Sequence, residues 1–116
     1  MKTERLQRKN IDLAISFLNN TYVNTEGFEE VNTEDIEESK ETIAFTGWIG
    51  SELISIVHGK MLDPSNGSID WACVKRDFRG ECYSVEPMKA CIIELKEKGA
   101  NRIHVSRWLD SPYRRV

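Results

Sequence analysis

The stretch from Trp71 to Ser84 constrains the fold of this chain more than any other, because a strand pattern ends in it and a helix pattern follows. Apolar residues alternate with other residues up to Val74, which is the period of a β-strand. A turn with the conformationally free Gly80 comes next, and Ser84 is a residue type that favours a helix N-cap. From Val85 onward, apolar residues recur three and four positions apart. The sequence therefore predicts a strand, a turn and a helix in direct succession.

A junction of this kind directs several backbone N–H groups and the positive end of a helix dipole at one small volume. Such an environment favours a phosphate or a pyrophosphate. The same pattern is also typical of an ordinary strand-to-helix connection in which Arg79 is merely solvated. Pattern alone leaves both interpretations open.

The segment VKRDFRGECYS resembles the acetyl-CoA-binding signature of the GNAT superfamily of N-acetyltransferases, in which a strand ends in Val-x-Pro-x-Tyr-Arg-Gly-x-Gly-x-Gly and a long helix follows. The positions that fit this signature are Val74, Asp77, Phe78, Arg79 and Gly80. Cys82 and Ser84 stand where the second and third glycines are usual, and Arg76 stands where proline is common. The resemblance extends over roughly Thr42 to Asp110.

This resemblance implies an α/β (α+β) fold with a GNAT-like mixed sheet and the element order β-α-α-β-β-β-α-β. It also implies a single GNAT-like domain over residues 1–116 that lacks the last helix and strands of the family. A chain of 116 residues is in any case the length of one domain.

The function that the resemblance implies is transfer of an acyl group from acetyl-CoA to an amine, either on a small molecule or on a peptide. The residues expected to bind acetyl-CoA are Val74, Arg76, Arg79, Gly80, Glu81, Cys82, Tyr83 and Ser84. Asp70 occupies a position where family members often have an acidic residue that takes the proton of the amine. The alternative is that Asp70 is a strand carboxylate facing solvent. No residue corresponds clearly to the tyrosine that serves as general acid in the family.

Hydrophobic periodicity predicts the remaining elements. The expected helices are Ile11 to Tyr22, a short one from Thr33 to Lys40, and one from Ser84 to Gly99. The expected strands are a short one over Thr3 to Gln7, a hairpin of Thr42 to Ile49 with Glu52 to Lys60 around Gly50-Ser51, and Arg102 to Val105 parallel to the signature strand. The second hairpin strand is nearly continuously apolar, which predicts a central position. Met61 to Ser68 is expected to be a loop.

Charge and cysteine content limit the possible partners and compartments. Sixteen basic and nineteen acidic residues give a net charge of −3, which does not favour nucleic acid or anionic lipid as a partner. Three cysteines without metal-type spacing are expected to be buried packing residues in a reduced, cytoplasmic protein. No stretch reaches the ~18 apolar residues of a membrane span. No metal site is expected.

Several side chains allow a functional and a structural interpretation. Glu26, Glu29 and Glu30 would favour a cationic acceptor if they formed its wall, but acidic residues are more often a solvated surface. His58 and His104 lie on strand patterns and are expected at the rim of the core rather than as catalysts.

Two alternatives to catalysis follow from the same residues. The substituted glycines favour a degenerate relative that acts through protein contacts or binds CoA weakly. A basic and aromatic cluster at the end of the sequence could contact a nucleic acid or an acidic partner; its members are Arg102, Arg107, Trp108, Tyr113, Arg114 and Arg115. A homodimer is also expected, with the Ile103 edge or the Trp108 segment buried against a second copy.

Overall fold

A mixed β-sheet with a helix on each face organises the computed structural model, which describes residues 1–22, 36 and 42–105. The strands are β1 (Lys2–Arg5), β2 (Thr42–Ile49), β3 (Glu52–Asp63), β4 (Asn66–Val74) and β5 (Arg102–Val105). The helices are α1 (Ile11–Tyr22) and α2 (Val85–Glu97), the latter being the third helix that the sequence predicts.

The strands lie in the sheet in the same order as in the chain, from β1 to β5. The first four are antiparallel to their neighbours, whereas β4 and β5 are parallel, because α2 crosses over between them. The strand β3 is central and almost continuously buried. The predicted mixed sheet, the central strand and the parallel pair are therefore confirmed.

The two faces of the sheet carry separate apolar clusters. Ala14 and Leu18 of α1 belong to a buried cluster with sheet residues such as Ile56. On the other face, Cys91 and Leu95 of α2 belong to a second cluster with Val57, Ile69 and Ile43. The apolar spacing along both helices predicts this packing, since residues three and four apart share one helix face.

The cysteines differ in their surroundings. Cys73 and Cys91 are buried, as expected, and burial raises the pKa of the Cys91 thiol to about 12. A thiol with so high a pKa remains protonated and acts as a small apolar side chain. The prediction is wrong for Cys82, which is exposed on the loop before α2.

Two boundaries also differ from the sequence-based expectation. The first strand is Lys2–Arg5 rather than Thr3 to Gln7, and a 3-10 turn, Arg8–Asn10, follows it. The expected loop Met61 to Ser68 is instead the end of β3, a two-residue turn and the start of β4. Asp63 makes the turn short, since its Oδ1 accepts hydrogen bonds from the backbone N–H groups of Ser65 and Asn66 at 2.8 and 2.9 Å.

The predicted second helix, Thr33 to Lys40, lies outside the described residues except for Ile36, which is helical and buried. Glu26, Glu29, Glu30 and the basic and aromatic residues after Arg102 also lie outside them. Within the described ranges, no helix is long and apolar enough to cross a bilayer.

Candidate functional site

The junction between β4 and α2 has the predicted order of a strand, a turn and a helix. A 3-10 turn, Arg76–Phe78, follows β4, and the backbone N–H of Phe78 donates to the carbonyl of Lys75 at 2.9 Å. At the other end, the N–H of Val85 donates to the carbonyl of Cys82 at 3.1 Å. The loop of residues 79–84 is thus fixed where it leaves the strand and where it enters the helix.

Two residues of this loop have left-handed backbone conformations. Gly80 has φ of 86°, and Cys82 has φ of 63°. Cys82 is the only non-glycine residue with positive φ in the described part of the chain. Its conformation is the one that glycine adopts freely, which matches the glycine expected at this position of the GNAT signature.

The loop leaves a row of backbone donors unused. The N–H groups of residues 81–84 donate no hydrogen bond within the described ranges. Successive N–H groups near left-handed residues form a concave anion-binding arrangement. Ser84 occupies the N-cap position of α2, as predicted, but its side chain makes no capping hydrogen bond. The Ser84 hydroxyl therefore accepts no hydrogen bond from the backbone N–H groups at the start of α2.

One contact that the sequence analysis did not predict fixes the loop of residues 79–84 to the central strand. Ser55 is fully buried in β3, and its Oγ donates to the carbonyl of Tyr83 at 2.9 Å. The Tyr83 ring also packs edge-on against Phe78, with ring centroids 5.6 Å apart. A serine in an apolar central strand is the only signal in the sequence for this contact, and it does not reveal the partner.

Basic residues gather beside the same junction. A cavity of about 500 Å³ opens between α1, the start of β3 and the end of β4. Its lining comprises Leu13, Ser16, Phe17, Asn20, Ser51, Glu52, Leu53, Lys75, Arg76 and Arg79. Lys75 pairs with Glu52 at 3.3 Å, so three cations and one carboxylate leave a surplus of positive charge. Sequence reasoning identified Arg76 and Arg79 but not Lys75 or the α1 side of this cavity.

The end of β4 is only partly engaged by neighbouring strands. Pairing with β5 extends from Asn66 to Ile69. Beyond that point, the carbonyl of Val74 accepts a hydrogen bond from Nε of Arg79 at 3.1 Å. The Arg79 side chain is therefore directed along the end of the strand rather than simply solvated.

A β-bulge lies in the middle of β4. His58 of β3 pairs with Trp71, but the next residue, Gly59, pairs with Ile69. Asp70 is the extra residue, and a bulge of this kind redirects the side chain that it carries. The side chain of Asp70 is neither free nor fully solvated: 24% of it is exposed. The Asp70 side chain is therefore partly buried rather than fully solvent-facing.

Polar contacts hold the Asp70 carboxylate. Its Oδ1 accepts a hydrogen bond from Oγ of Ser68 at 2.9 Å, and its Oδ2 lies 3.5 Å from Nδ1 of His58. The second contact is longer than an ordinary hydrogen bond and is better described as electrostatic. Burial acts to raise the pKa of Asp70, but the contacts with His58 and Ser68 and the charge of Lys60 outweigh it. The pKa of this carboxyl group is therefore below its ordinary value.

The two histidines have contrasting environments. His104 is exposed on β5. His58 is only 2% exposed and lies within the core rather than at its rim, with its ring centroid 4.7 Å from that of Trp71. Among the described residues, no group of three or more His, Cys, Asp or Glu side chains could hold a metal ion.

Comparison with known proteins connects this architecture with acetyl transfer at the level of fold. No protein-family profile and no curated protein sequence matches the chain. Solved structures do match. The ribosomal-protein-alanine N-acetyltransferase of Brucella melitensis biovar Abortus 2308 is 13% identical with a TM-score of 0.73, and 90% of this chain covers 78% of that one.

An aminoglycoside acetyltransferase from an uncultured soil metagenomic sample, in complex with sisomicin, is 14% identical with a TM-score of 0.70, and 90% of this chain covers 76% of it. The structure of AAC(6')-Iy with the bisubstrate analogue CoA-S-monomethyl-acetylneamine shares 9% sequence identity with this chain and has a TM-score of 0.74. The match covers 90% of this chain and 78% of that one. The chain has the fold of GNAT acetyltransferases.

One prediction about the loop follows directly from the left-handed Cys82. Replacing Cys82 by glycine removes the Cβ at the point where the backbone would approach a phosphate, at a position where a non-glycine residue costs the fold ~1 kcal/mol. We expect Cys82→Gly to bind acetyl-CoA about fivefold more tightly in calorimetry, which corresponds to ~1 kcal/mol gained from the closer approach of the phosphate. Cys82→Ala keeps Cβ and is the matched control. If both variants gain the same affinity for acetyl-CoA, the effect comes from loss of the thiol and not from the backbone conformation.

Proposed function

We propose that this protein is an acetyl-CoA-dependent N-acyltransferase that acts on an amine by direct transfer. The observation that carries the proposal is the loop of residues 79–84. It combines two left-handed residues with unused backbone donors, at the end of the strand that precedes a helix, in a fold shared with acetyltransferases. This combination suits the pyrophosphate of acetyl-CoA.

Acetyl-CoA is proposed to lie along the end of β4. The backbone N–H groups of residues 81–84 would hold the pyrophosphate, with Arg79 and Gly80 shaping the turn that presents them, and the backbone of Val74 and Arg76 would contact the pantetheine arm. The surplus positive charge of the neighbouring cavity favours the phosphate-bearing end of the molecule. The CoA moiety in the analogue bound to AAC(6')-Iy supports this cofactor by analogy of fold.

Asp70 is proposed as the acceptor of the amine proton. The nitrogen of the amine attacks the thioester carbonyl, a C–N bond forms, the C–S bond breaks, and the CoA thiolate takes up a proton from solvent. The amine must lose a proton to end as a neutral amide. The Asp70 carboxylate is ionised near neutral pH and is available to receive that proton, although its lowered pKa makes it a weaker base than an ordinary aspartate. The bulge and the Ser68 hydrogen bond hold it in one orientation.

The test of this function has two stages. Titration with acetyl-CoA in a calorimeter should show saturable binding, and free thiol should then appear when an amine is added. The two kinds of acceptor in the names of the neighbours, an aminoglycoside and a peptide with an amino-terminal alanine, are the first amines to try. Absence of both heat and thermal stabilisation at high acetyl-CoA concentration would refute the proposal.

A second candidate is a non-catalytic domain that acts through protein contacts or binds CoA weakly. The strained Cys82 favours it, because a Cβ stands where the backbone must approach a phosphate. Saturable binding without thiol release for any amine would support this alternative and refute catalysis.

The proposed partners include a second copy of the chain. The strand β5 pairs with β4 on one side and with no other strand among the described residues, and its last residue, Val105, is 60% exposed. An edge strand with an exposed apolar residue favours pairing with another edge. We expect light scattering across a concentration series to show a mass about twice the 13.4 kDa of one chain. A monomer at every concentration would contradict the proposal.

A reducing compartment such as the cytoplasm is proposed as the location. Cys73, Cys82 and Cys91 are all free thiols, and structural disulfides are the usual mark of proteins that work in oxidising compartments.

A further inference from the structure

His58 is a buried polar residue whose presence packing does not explain. It lies in the central strand β3, between its pairing partners Ala44 of β2 and Trp71 of β4. Neither ring nitrogen makes a hydrogen bond within the described residues. An apolar side chain of similar size would fill this position without burying two unsatisfied nitrogen atoms, so the histidine calls for an explanation other than packing.

The imidazole faces one charged group at close range. Its Nδ1 lies 3.5 Å from Oδ2 of Asp70, while the other carboxylate oxygen accepts the hydrogen bond from Ser68. Each oxygen of Asp70 therefore has its own neighbour. The bulge produces this arrangement, because it places Asp70 and Trp71 together opposite His58.

The other elements packed around His58 contribute few charges. The buried residues of α1 in this cluster, Ala14 and Leu18, are apolar, as is Ile36. Lys60 on β3 acts on Asp70 from a distance, and the protonated Cys91 thiol of α2 also senses the Asp70 charge. Among the described residues, Asp70 is the acidic group within ion-pair distance of His58. The charge states of these two residues are therefore coupled to each other.

We propose that His58 is a positioning residue for Asp70, with a neutral imidazole that directs its Nδ1–H at Oδ2 and thereby fixes the carboxylate for proton transfer. This inference rests on the proposed acetyl transfer. The proton of the amine goes to the Asp70 carboxylate, and His58 keeps its own proton throughout. When Nε2 is also protonated, the imidazolium binds the carboxylate as an ion pair and withholds it from the amine, so turnover falls on the acid side.

The coupling can be measured without any activity. The chain has two histidines, His58 and His104, so a nitrogen NMR titration of the imidazole groups can be assigned with His58→Asn and His104→Asn. We expect Asp70→Asn to lower the titration midpoint of His58 by about 1 pH unit, since an opposite charge within 4–6 Å has at least this effect.

Asp63→Asn is the matched control for this titration. Hydrogen bonds from Ser65 and Asn66 are the main cause of the lowered pKa of Asp63, which lies at the turn that ends β3, so this substitution should leave the His58 midpoint unchanged. A His58 midpoint that Asp70→Asn does not move would overturn the proposal.

Turnover provides the second measurement. We expect His58→Phe, which keeps an aromatic ring and loses both nitrogens, to lower kcat about tenfold, less than the roughly 100-fold or more of a general base itself, because Asp70 remains in place. The KM for acetyl-CoA should be unchanged. His58→Asn should restore most of the turnover, because its amide N–H stands near the position of Nδ1, and the acid limb of its pH profile should lose the contribution of His58. Equal kcat in wild type and His58→Phe, or no rescue by asparagine, would refute the positioning role.

The two proposals fail in different ways. Lack of acetyl-CoA binding by the wild type would refute the acyltransferase, and with it any role of His58 in proton transfer, whatever the NMR titration gives. Binding and turnover with an uncoupled His58 would refute the positioning role alone. Thermal melting of each variant identifies one that does not fold, and the titration of wild type against Asp70→Asn then decides the coupling.

Discussion

Replacement of Gly80 by valine is expected to weaken acetyl-CoA binding by at least tenfold. Gly80 has φ of 86°, and a β-branched residue avoids this region at a cost of ~1–2 kcal/mol. No atom lies within 4 Å of the position that its Cβ would take, so steric collision is not the cause. The effect arises because the loop must leave its left-handed conformation, which turns the backbone N–H groups of residues 81–84 away from the proposed pyrophosphate. Isothermal titration calorimetry with acetyl-CoA measures the change.

The hairpin turn between β2 and β3 offers a matched control. Gly50 also has positive φ, at 60°, and also has open space around the position of a Cβ. Gly50→Val should therefore lower the melting temperature by a similar amount while leaving acetyl-CoA affinity unchanged. Equal losses of affinity in both variants would indicate general destabilisation. Unchanged affinity in Gly80→Val would show that the pyrophosphate does not bind at this loop.

Much of the sheet could be predicted because neighbouring residues determine it. The hairpin of β2 and β3 depends on two apolar runs and the Gly50-Ser51 turn, all of which are visible along the chain. The error over Met61 to Ser68 has a local cause as well. Its polar residues indicate a long loop, but Asp63 accepts the two backbone hydrogen bonds that close a turn of two residues, so the flanking residues extend the strands.

The sequence predicted only the part of the candidate site that lies within one short stretch of the chain. Gly80, Cys82 and Ser84 are read from one stretch, and the positive φ of Gly80 and Cys82 agrees with the glycine pattern that they resemble. The contact of Ser55 with Tyr83 joins residues 28 positions apart and depends on the three-dimensional fold.

The neighbourhood of Asp70 shows a further limit of sequence reasoning. A regular alternation through β4 would place Asp70 on the face opposite Trp71. The bulge places both opposite His58, and strand periodicity does not predict where a register shift occurs. The proximity of His58 to Asp70 was therefore not accessible from the sequence, although each residue was considered separately.

Replacement of Asp70 by asparagine is expected to lower kcat by roughly 100-fold, the lower end of what a positioned general base contributes. Asparagine has nearly the shape of aspartate and can still accept the Ser68 hydrogen bond, so the bulge should persist. It cannot accept the amine proton. Acetyl-CoA affinity should stay within about twofold, because the proposed cofactor contacts begin at Val74, four residues along the strand. Steady-state release of CoA thiol gives kcat, and calorimetry gives the affinity.

The appropriate control is another carboxylate with a lowered pKa outside the proposed site. Hydrogen bonds from Ser65 and Asn66 lower the pKa of Asp63, as contacts with His58 and Ser68 do for Asp70, but Asp63 lies at the turn between β3 and β4. Asp63→Asn should leave kcat unchanged. Equal turnover of Asp70→Asn and wild type would refute the base assignment, because the protein would then transfer the acetyl group without this carboxylate. An equal loss of kcat in Asp63→Asn would instead indicate that removal of one negative charge from the protein causes the effect, since that is the main change that the two substitutions share.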